Sequence, residues 1–368
     1  MIEQRDTLHK ADQLRFLFAL PGFHQEERGA EVALLAVAEE LARGGDAVTV
    51  MGGGPPRDAA YDYRQVKAVN RRACERLPRV PPFRSETIWE DASFALGLLR
   101  AFKPEEFDIT VTCNFPFTHW CLRRAGRRGP RHLFVTQNGD WPAVSDAAEF
   151  RFFDCDGLVC INPDYEAANR GRWNTALIPN GVYPASYRQA IPDRSAFGLP
   201  ENAPVVLMVS ALIDSKRVLE GIKAVAALPE LHLVVAGDGP LRSDVNELAE
   251  RLLPGRFNRV SLPAARMPSL YASCDAFLHM SLFESFGNVF VEAMASGLPI
   301  VAHDTPRLRW IVGDCQMLCD TRDIPCTTVS LERAIGAGRH APSDRIESFA
   351  WPAIASAYRE FARSLLPA

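Results

Sequence analysis

Short apolar runs alternate with amphipathic stretches along most of the chain. Residues 14–20, Leu-Arg-Phe-Leu-Phe-Ala-Leu, read as a first strand after a polar start over 1–13. A glycine-bearing loop over 21–29 leads into a helix over 30–43, where Val32, Leu35, Val37, Ala38 and Leu41 form an apolar face. Gly44 and Gly45 stop that helix, and 47–51 is the second strand. Strand, loop, helix and strand in this order form a βαβ unit, hence the start of a parallel sheet. The alternation continues with helices over 87–102, 117–125 and 163–171 and strands over 108–112, 131–136, 157–161 and 176–179. Asn162 suits the N-cap of the helix over 163–171, with Pro163 at its first position. Residues 57–84 are mixed and carry no element in this reading.

From 180 to 204 the periodicity fades and Pro184, Pro192, Pro200 and Pro204 accumulate, so this segment reads as an interdomain linker with one helical turn over 194–198. A second series then begins. Strands are expected over 205–209, 231–236, 260–262, 276–280 and 298–302, and helices over 219–228, 241–253 and 267–273, with a further helix after the Phe286-Gly287-Asn288 turn through 293–296. The last stretch is read as a tail ending in a helix over 344–366, with Trp351, Tyr358 and Phe361 along it. At 368 residues the chain is long for one core and comfortable for two. The expected division is 1–185, 186–345 and a C-terminal helix over 346–368.

Composition narrows the class. Apolar residues make up 47% and charged residues 23%, as in ordinary globular proteins. The net charge of −4 gives no reason to expect a nucleic-acid partner. No uncharged apolar run approaches the ~18 residues that a spanning helix needs. The run over 14–20 contains Arg15 and follows Asp6 and Asp12, so it reads as a strand and not as a signal peptide. The nine cysteines are irregularly spaced without Cys-x-x-Cys, which fits reduced thiols and a cytoplasmic location. Cys315, Cys319 and Cys326 lie close in sequence, but no His stands at zinc spacing, and no metal is expected there.

Candidate chemistry concentrates in residues 284–292, Glu-Ser-Phe-Gly-Asn-Val-Phe-Val-Glu. Glu284 and Glu292 bracket a Phe-Gly-Asn turn that opens a helix. A helix N-terminus offers unpaired N–H groups and a positive dipole end, which suit a diphosphate. Carboxylates beside it accept hydrogen bonds, which suits sugar hydroxyls. The plain alternative is a surface turn whose acids complement the helix dipole. Lys216 and Arg217 follow a strand end and precede a helix, where ligands bind in open α/β sheets, and they are suited to neutralise a diphosphate. Two solvated cations at a helix start are the alternative. Gly237 and Gly239 mark the turn Gly-Asp-Gly-Pro at the next strand end, where backbone can approach closely. Asn138-Gly139-Asp140 is a good turn on its own chemistry. No Gly-x-Gly-x-x-Gly follows the first strand, which argues against a dinucleotide oxidoreductase.

Glu-x7-Glu followed by Ala-x-Gly-x-Pro resembles the signature of family 4 retaining glycosyltransferases, also called glycosyl transferases group 1. The Lys216-Arg217 and Gly237-x-Gly239-Pro240 positions fall in the family's order. Ala211 stands where many members have Arg, and Arg217 is a candidate replacement. The resemblance implies the GT-B fold: two Rossmann-like α/β/α domains facing across a cleft, with the C-terminal helix returning to the first. It implies a nucleotide-diphosphate sugar as co-substrate, no cofactor and no metal. By the same resemblance Lys216, Arg217, Glu284 and Asn138 are catalytic. The donor falls to Gly29, Gly237, Gly239, Leu262, Ser285, Phe286, Gly287, Asn288 and Glu292. Asp140 and Trp141 lie on the acceptor side, with the acceptor itself unassigned. Gly29 belongs to Arg28-Gly29-Ala30-Glu31, which resembles the family's Gly-Gly-Ala-Glu turn. Asn138 stands near the position of a family His, and Asn114-Phe115-Pro116 replaces a common His-Ser-Pro.

Two alternatives to transfer remain open at this stage: a nucleotide-sugar epimerase on the same scaffold, and a nucleotide-sugar-binding protein without turnover. Arg123, Arg124, Arg127 and Arg128 crowd one stretch beside Trp120 and read as a solvated helix end. The alternative is a peripheral contact with an anionic membrane surface at its inner face. His24 and His119 are expected to pack or to lie at the surface, and not to bind ligands.

Overall fold

Runs that are apolar at every position need cover on both faces, and that need produces parallel sheets flanked by helices. The computed structural model describes residues 13–139, 141–145, 148–313, 317–341 and 344–367. The chain divides into two compact units, one reaching Asn180 and joined by the segment from Trp351, the other comprising Gly181–Ala350.

The first unit is built on a parallel sheet. Its strands are β1 (Arg15–Leu20), β2 (Ala47–Gly52), β3 (Asp62–Gln65), β4 (Ile109–Thr112), β5 (Arg131–Val135), β6 (Gly157–Cys160) and β7 (Thr175–Leu177). Their spatial order is β3-β2-β1-β4-β5-β6-β7. In β1, Phe16, Leu17 and Phe18 are wholly buried, as an apolar run in a central strand requires. Helices between these strands include α1 (Gly29–Arg43), α2 (Glu86–Ala101), α3 (Phe117–Leu122) and α4 (Pro163–Asn169). Asn162 caps α4 as expected, its side chain accepting from the Tyr165 amide at 2.9 Å. α3 is capped from a distance: buried Asp91 on α2 accepts from the Phe117 amide at 2.8 Å. The C-terminal helix packs against α1, and Arg359 Nε lies 3.0 Å from Asp46 Oδ2.

The second unit has a parallel sheet in the order β10-β9-β8-β11-β12-β13. Its elements are β8 (Val205–Val209), α5 (Val218–Ala226), β9 (His232–Ala236), α6 (Arg242–Leu252), β10 (Phe257–Val260), α7 (Met267–Ala272), β11 (Ala276–His279), α8 (Asn288–Ala295), β12 (Ile300–His303), α9 (Pro306–Val312), β13 (Met317–Cys319) and α10 (Ile324–Ala337). The chain moves outward from β8 through β9 to β10, then returns to lay β11 on the other side of β8. That reversal opens a crevice at the carboxyl ends of β8 and β11, the usual ligand position of open α/β sheets.

Several boundaries differ from the sequence reading. β3 lies within the stretch read as mixed, because Asp-Tyr-Arg-Gln is polar and half-exposed at a sheet edge. The strand expected over 260–262 is β10, ending at Val260. The stretch read as a tail contains α9, β13 and α10. The last helix is divided: a 3-10 segment runs over Asp344–Phe349, Ala350 bridges to Val182, and α11 is Trp351–Ser364.

Candidate functional site

Two loops meet at the strand reversal of the second unit. The loop after β8 runs through Ser210 to Lys216 and ends at Arg217, which has φ +54° and stands at the N-cap of α5. A left-handed arginine is uncommon enough to count as a constraint on the loop. Arg217 Nη1 points to the Met280 carbonyl at 3.4 Å, so its head group reaches the end of β11.

The loop after β9 fixes the loop after β8 from the other side. Leu212 N donates to Asp238 O at 3.0 Å, and Leu241 N donates to Leu212 O at 3.1 Å. A Cβ on Gly237 would lie 1.8 Å from Ser210 O, and one on Gly239 would lie 2.5 Å from Leu212 O. The close approach these glycines permit is therefore to the loop that carries Lys216.

The loop after β11 brings Glu284, and the helix it opens brings Glu292. Glu284 Oε1 accepts from Lys216 Nζ and from His279 Nε2, the latter at 2.8 Å. The Lys216 and Glu284 side chains are 24% and 19% exposed, so water screens this pair only in part. Burial pushes the Glu284 carboxyl up, but the hydrogen bond and charge of His279, with the charge of Lys216, outweigh it and hold the group at about 2. His279 is nearly buried at the end of β11, its ring edge-on to Phe290 at 4.9 Å. Arg307 donates to the Glu284 carbonyl, and its guanidinium lies over the Phe283 ring at 4.9 Å.

Gly287 turns the chain into α8 with φ +83°, and a Cβ there would meet the Phe290 ring at 2.7 Å. Phe286 is buried beside Trp310 and Phe349, so its ring anchors the loop and leaves its backbone at the helix start. Ser285, Asn288 and Glu292 are partly buried around the same turn. Glu292 Oε2 accepts from the Tyr271 hydroxyl at 2.8 Å. Burial raises the Glu292 carboxyl above its ordinary range, and the Tyr271 bond opposes that shift. Leu262 lies in the loop two residues past β10, partly exposed.

In the first unit, Gly29 opens α1, and Glu31 is buried beneath Gly22 with burial raising its carboxyl. Asn138 is exposed, and its Nδ2 donates to Cys113 Sγ at 3.7 Å. Trp141 opens the short helix Trp141–Val144. Asp140 lies outside the described residues. His24 packs on the Tyr63 ring at 3.9 Å and bonds Tyr61, and His119 is buried 3.1 Å from His132. Arg123 is paired with Asp154 and Asp156, and Arg124 binds the carbonyls of Leu99 and Phe102. Arg127 and Arg128 are exposed in the turn Gly126–Arg128.

Sequence reasoning missed His279 and Tyr271. His279 had a signal, since a histidine interrupts the apolar run Ala-Phe-Leu-His-Met. Tyr271 had none, since only folding sets it against a residue 21 positions later.

The depressed Glu284 carboxyl has a measurable consequence. A group held low in the folded state stabilises it fully above the ordinary carboxyl value, and the contribution fades as pH falls towards the folded value. For Glu284 the window runs from 4.5 down to about 2. The difference in urea midpoint between the native chain and Glu284→Gln is expected to shrink as pH falls through that window. A difference that stays constant through the window would contradict the pairing.

Comparisons with known proteins agree with this geometry. The family described as Glycosyltransferase Family 4 matches residues 28–186, and the family described as Glycosyl transferases group 1 matches 190–325. The lipopolysaccharide core biosynthesis glycosyltransferase LpsE of Rhizobium meliloti is 30% identical over 49% of this chain and 52% of its own, so the match spans about half of that relative. The GDP-mannose-dependent alpha-mannosyltransferase of Mycolicibacterium smegmatis is 25% identical over 85% of this chain and 86% of its own. The structure of Anabaena HepE in complex with UDP-glucose is 17% identical, covers 96% of this chain and 98% of its own, and superposes with a TM-score of 0.64, which shows the fold. Nothing in these matches supports an epimerase. Two family descriptions cover the two units in turn, and the chain belongs to the family 4, group 1 glycosyltransferases and has their GT-B fold.

Proposed function

We propose that the chain moves a sugar from a nucleotide-diphosphate sugar to an acceptor hydroxyl with retention of configuration. The observation that carries this reading is the meeting of Lys216 and Glu284 at the strand reversal, beside the turn that opens α8. The relatives support the donor class, one being named as GDP-mannose-dependent and another being solved with UDP-glucose.

Lys216, with Arg217, neutralises the diphosphate and stabilises its charge as it leaves. Amides of Phe286, Gly287 and Asn288 at the start of α8 supply further donors. Glu284 accepts from hydroxyls of the sugar and Glu292 from the ribose. The bond from the anomeric carbon to the phosphate oxygen breaks as the acceptor oxygen attacks the same face. The acceptor proton passes to the departing phosphate oxygen. Asn138, Asp140 and Trp141 are assigned to the sugar and acceptor side by resemblance. Glu284 acts on ring orientation, which lowers the barrier more than it raises ground-state affinity.

Glu284→Ala is therefore expected to keep most affinity for the bare nucleoside diphosphate. It should lose transfer by at least about tenfold, a barrier rise above ~1.4 kcal/mol. Discrimination between epimeric donor sugars should shrink as well. A folded variant with native transfer rate and native epimer preference would reduce Glu284 to a structural charge.

The two cations take the place that a divalent ion holds on the diphosphate in other transferases. Activity should survive EDTA. Loss with EDTA that magnesium or manganese restores would contradict this assignment.

Among the described residues no helix is long and apolar enough to cross a membrane. The proposed location is cytoplasmic, with a peripheral contact at the inner face of the membrane. Arg123 and Arg124 are held by local partners, so that contact falls to Arg127 and Arg128. Binding to phosphatidylglycerol-rich vesicles should weaken in Arg127→Glu/Arg128→Glu and with added salt. Equal sedimentation of variant and native chain would remove the membrane role.

A further inference from the structure

The acid assigned to the ribose does not stand alone. Tyr271 on α7 is fully buried, its ring edge-on to Tyr187 at 5.5 Å and stacked with Phe277 at 5.9 Å. Only its hydroxyl has a polar task. That hydroxyl is 2.8 Å from Glu292 Oε2 and 3.5 Å from the Val289 carbonyl. The second distance is long for an O–H···O bond, so the proton goes to Glu292. Burial, with the Glu292 charge beside it, raises the phenol far above its ordinary range, so it stays protonated and donates. No hydrogen bond to Glu292 Oε1 occurs among the described residues.

A glutamate side chain has three rotatable bonds, and fixing them when a ligand arrives costs affinity. A group that fixes them beforehand removes that cost. We propose that Tyr271 is the positioning residue of the nucleotide pocket: its hydroxyl pins one oxygen of Glu292 so that the other is presented to the ribose diol. This rests on the reading of Glu292 as the ribose acceptor. The hydroxyl is carried by α7, which is held against β11 through Phe277 and Tyr271 ring contact. The occupant is the sugar ring of a nucleoside diphosphate, recognised by two vicinal hydroxyls that donate to a fixed carboxylate oxygen.

The test is calorimetric titration of UDP, GDP and ADP, each beside its 2′,3′-dideoxy counterpart. Native chain, Tyr271→Phe, Glu292→Gln and the double variant are compared after their folding has been checked by melting. Tyr271→Phe keeps the ring and its packing and removes only the hydroxyl. It is expected to raise the Kd of the preferred ribonucleotide by about five- to tenfold, the scale of one hydrogen bond. The dideoxy counterpart should change by less than about twofold, because it has no diol to read. In the Glu292→Gln background, Tyr271→Phe should add little further loss, since the two residues act as one unit. Equal weakening of ribo- and dideoxynucleotide, or full additivity in the double variant, would show that Tyr271 only holds the fold. If Glu292→Gln weakens the ribonucleotide while Tyr271→Phe changes nothing, the positioning role falls and the ribose reading stands. If Glu292→Gln leaves the ribonucleotide unchanged, the ribose reading falls and the positioning role with it.

Discussion

Lys216 and Glu284 stand 68 residues apart in sequence and share a place where a lone charge is poorly solvated. Taking one such charge from water is costly, and removing either partner strands the other. The pair therefore ties the loop after β8 to the loop after β11 across the strand reversal. His279 adds a second donor to the same oxygen, which favours the ionised carboxylate against the burial that pushes it up. The position of Lys216 in turn depends on backbone bonds that Leu212 donates to Asp238 and accepts from Leu241, and on two glycines with no room for a Cβ. Packing between the loops sets where the cation stands, and the cation sets where the acid stands.

The central strands were legible because burial on both faces demands continuous apolar runs, and β1, β8, β11 and β12 have them. The site residues of the second unit were legible for a related reason. A strand end, a glycine turn and a helix start are local patterns, so Lys216, Gly287 and the two acids could be located before their contacts were known. What local pattern cannot supply is partnership. Nothing near Lys216 in sequence says that it meets Glu284, and nothing near Tyr271 says that it meets Glu292.

The elements missed at the C-terminal side are instructive, because their signals were present. Thr305-Pro306 starts α9, with Thr305 accepting from the Leu308 amide at 3.1 Å. Asp323 starts α10 in the same way, accepting from the Cys326 amide at 3.2 Å with Pro325 in the first turn. Both are N-cap and proline signatures of the kind that located α4. Short elements without long apolar runs hide such caps from a reading led by periodicity. β3 is different in kind: Tyr63 and Arg64 are partly exposed at the sheet edge, so no apolar alternation existed to be read. Its placement follows from pairing with β2, a tertiary fact.

The two glutamates of the motif reach opposite states from the same residue type. Glu284, beside a lysine and a histidine, is held at about 2, whereas burial raises Glu292 against the opposing bond from the Tyr271 phenol. On the proposed reading this difference follows the ligand. A diphosphate is an anion and needs a cation, so Lys216 must exchange some of its attraction from Glu284 to phosphate oxygens. His279 then keeps a donor on Glu284 while that exchange occurs, and the carboxylate does not face the sugar as an unpaired charge. Ribose hydroxyls are neutral donors and bring no charge to balance. A carboxylate that meets them needs direction more than a counter-ion, and a neutral phenol gives direction without adding a cation. A lysine in place of Tyr271 would compete with the diol for the same oxygens, because a charge-assisted bond is the stronger one. The weaker neutral donor leaves Glu292 the acceptor strength that the diol requires.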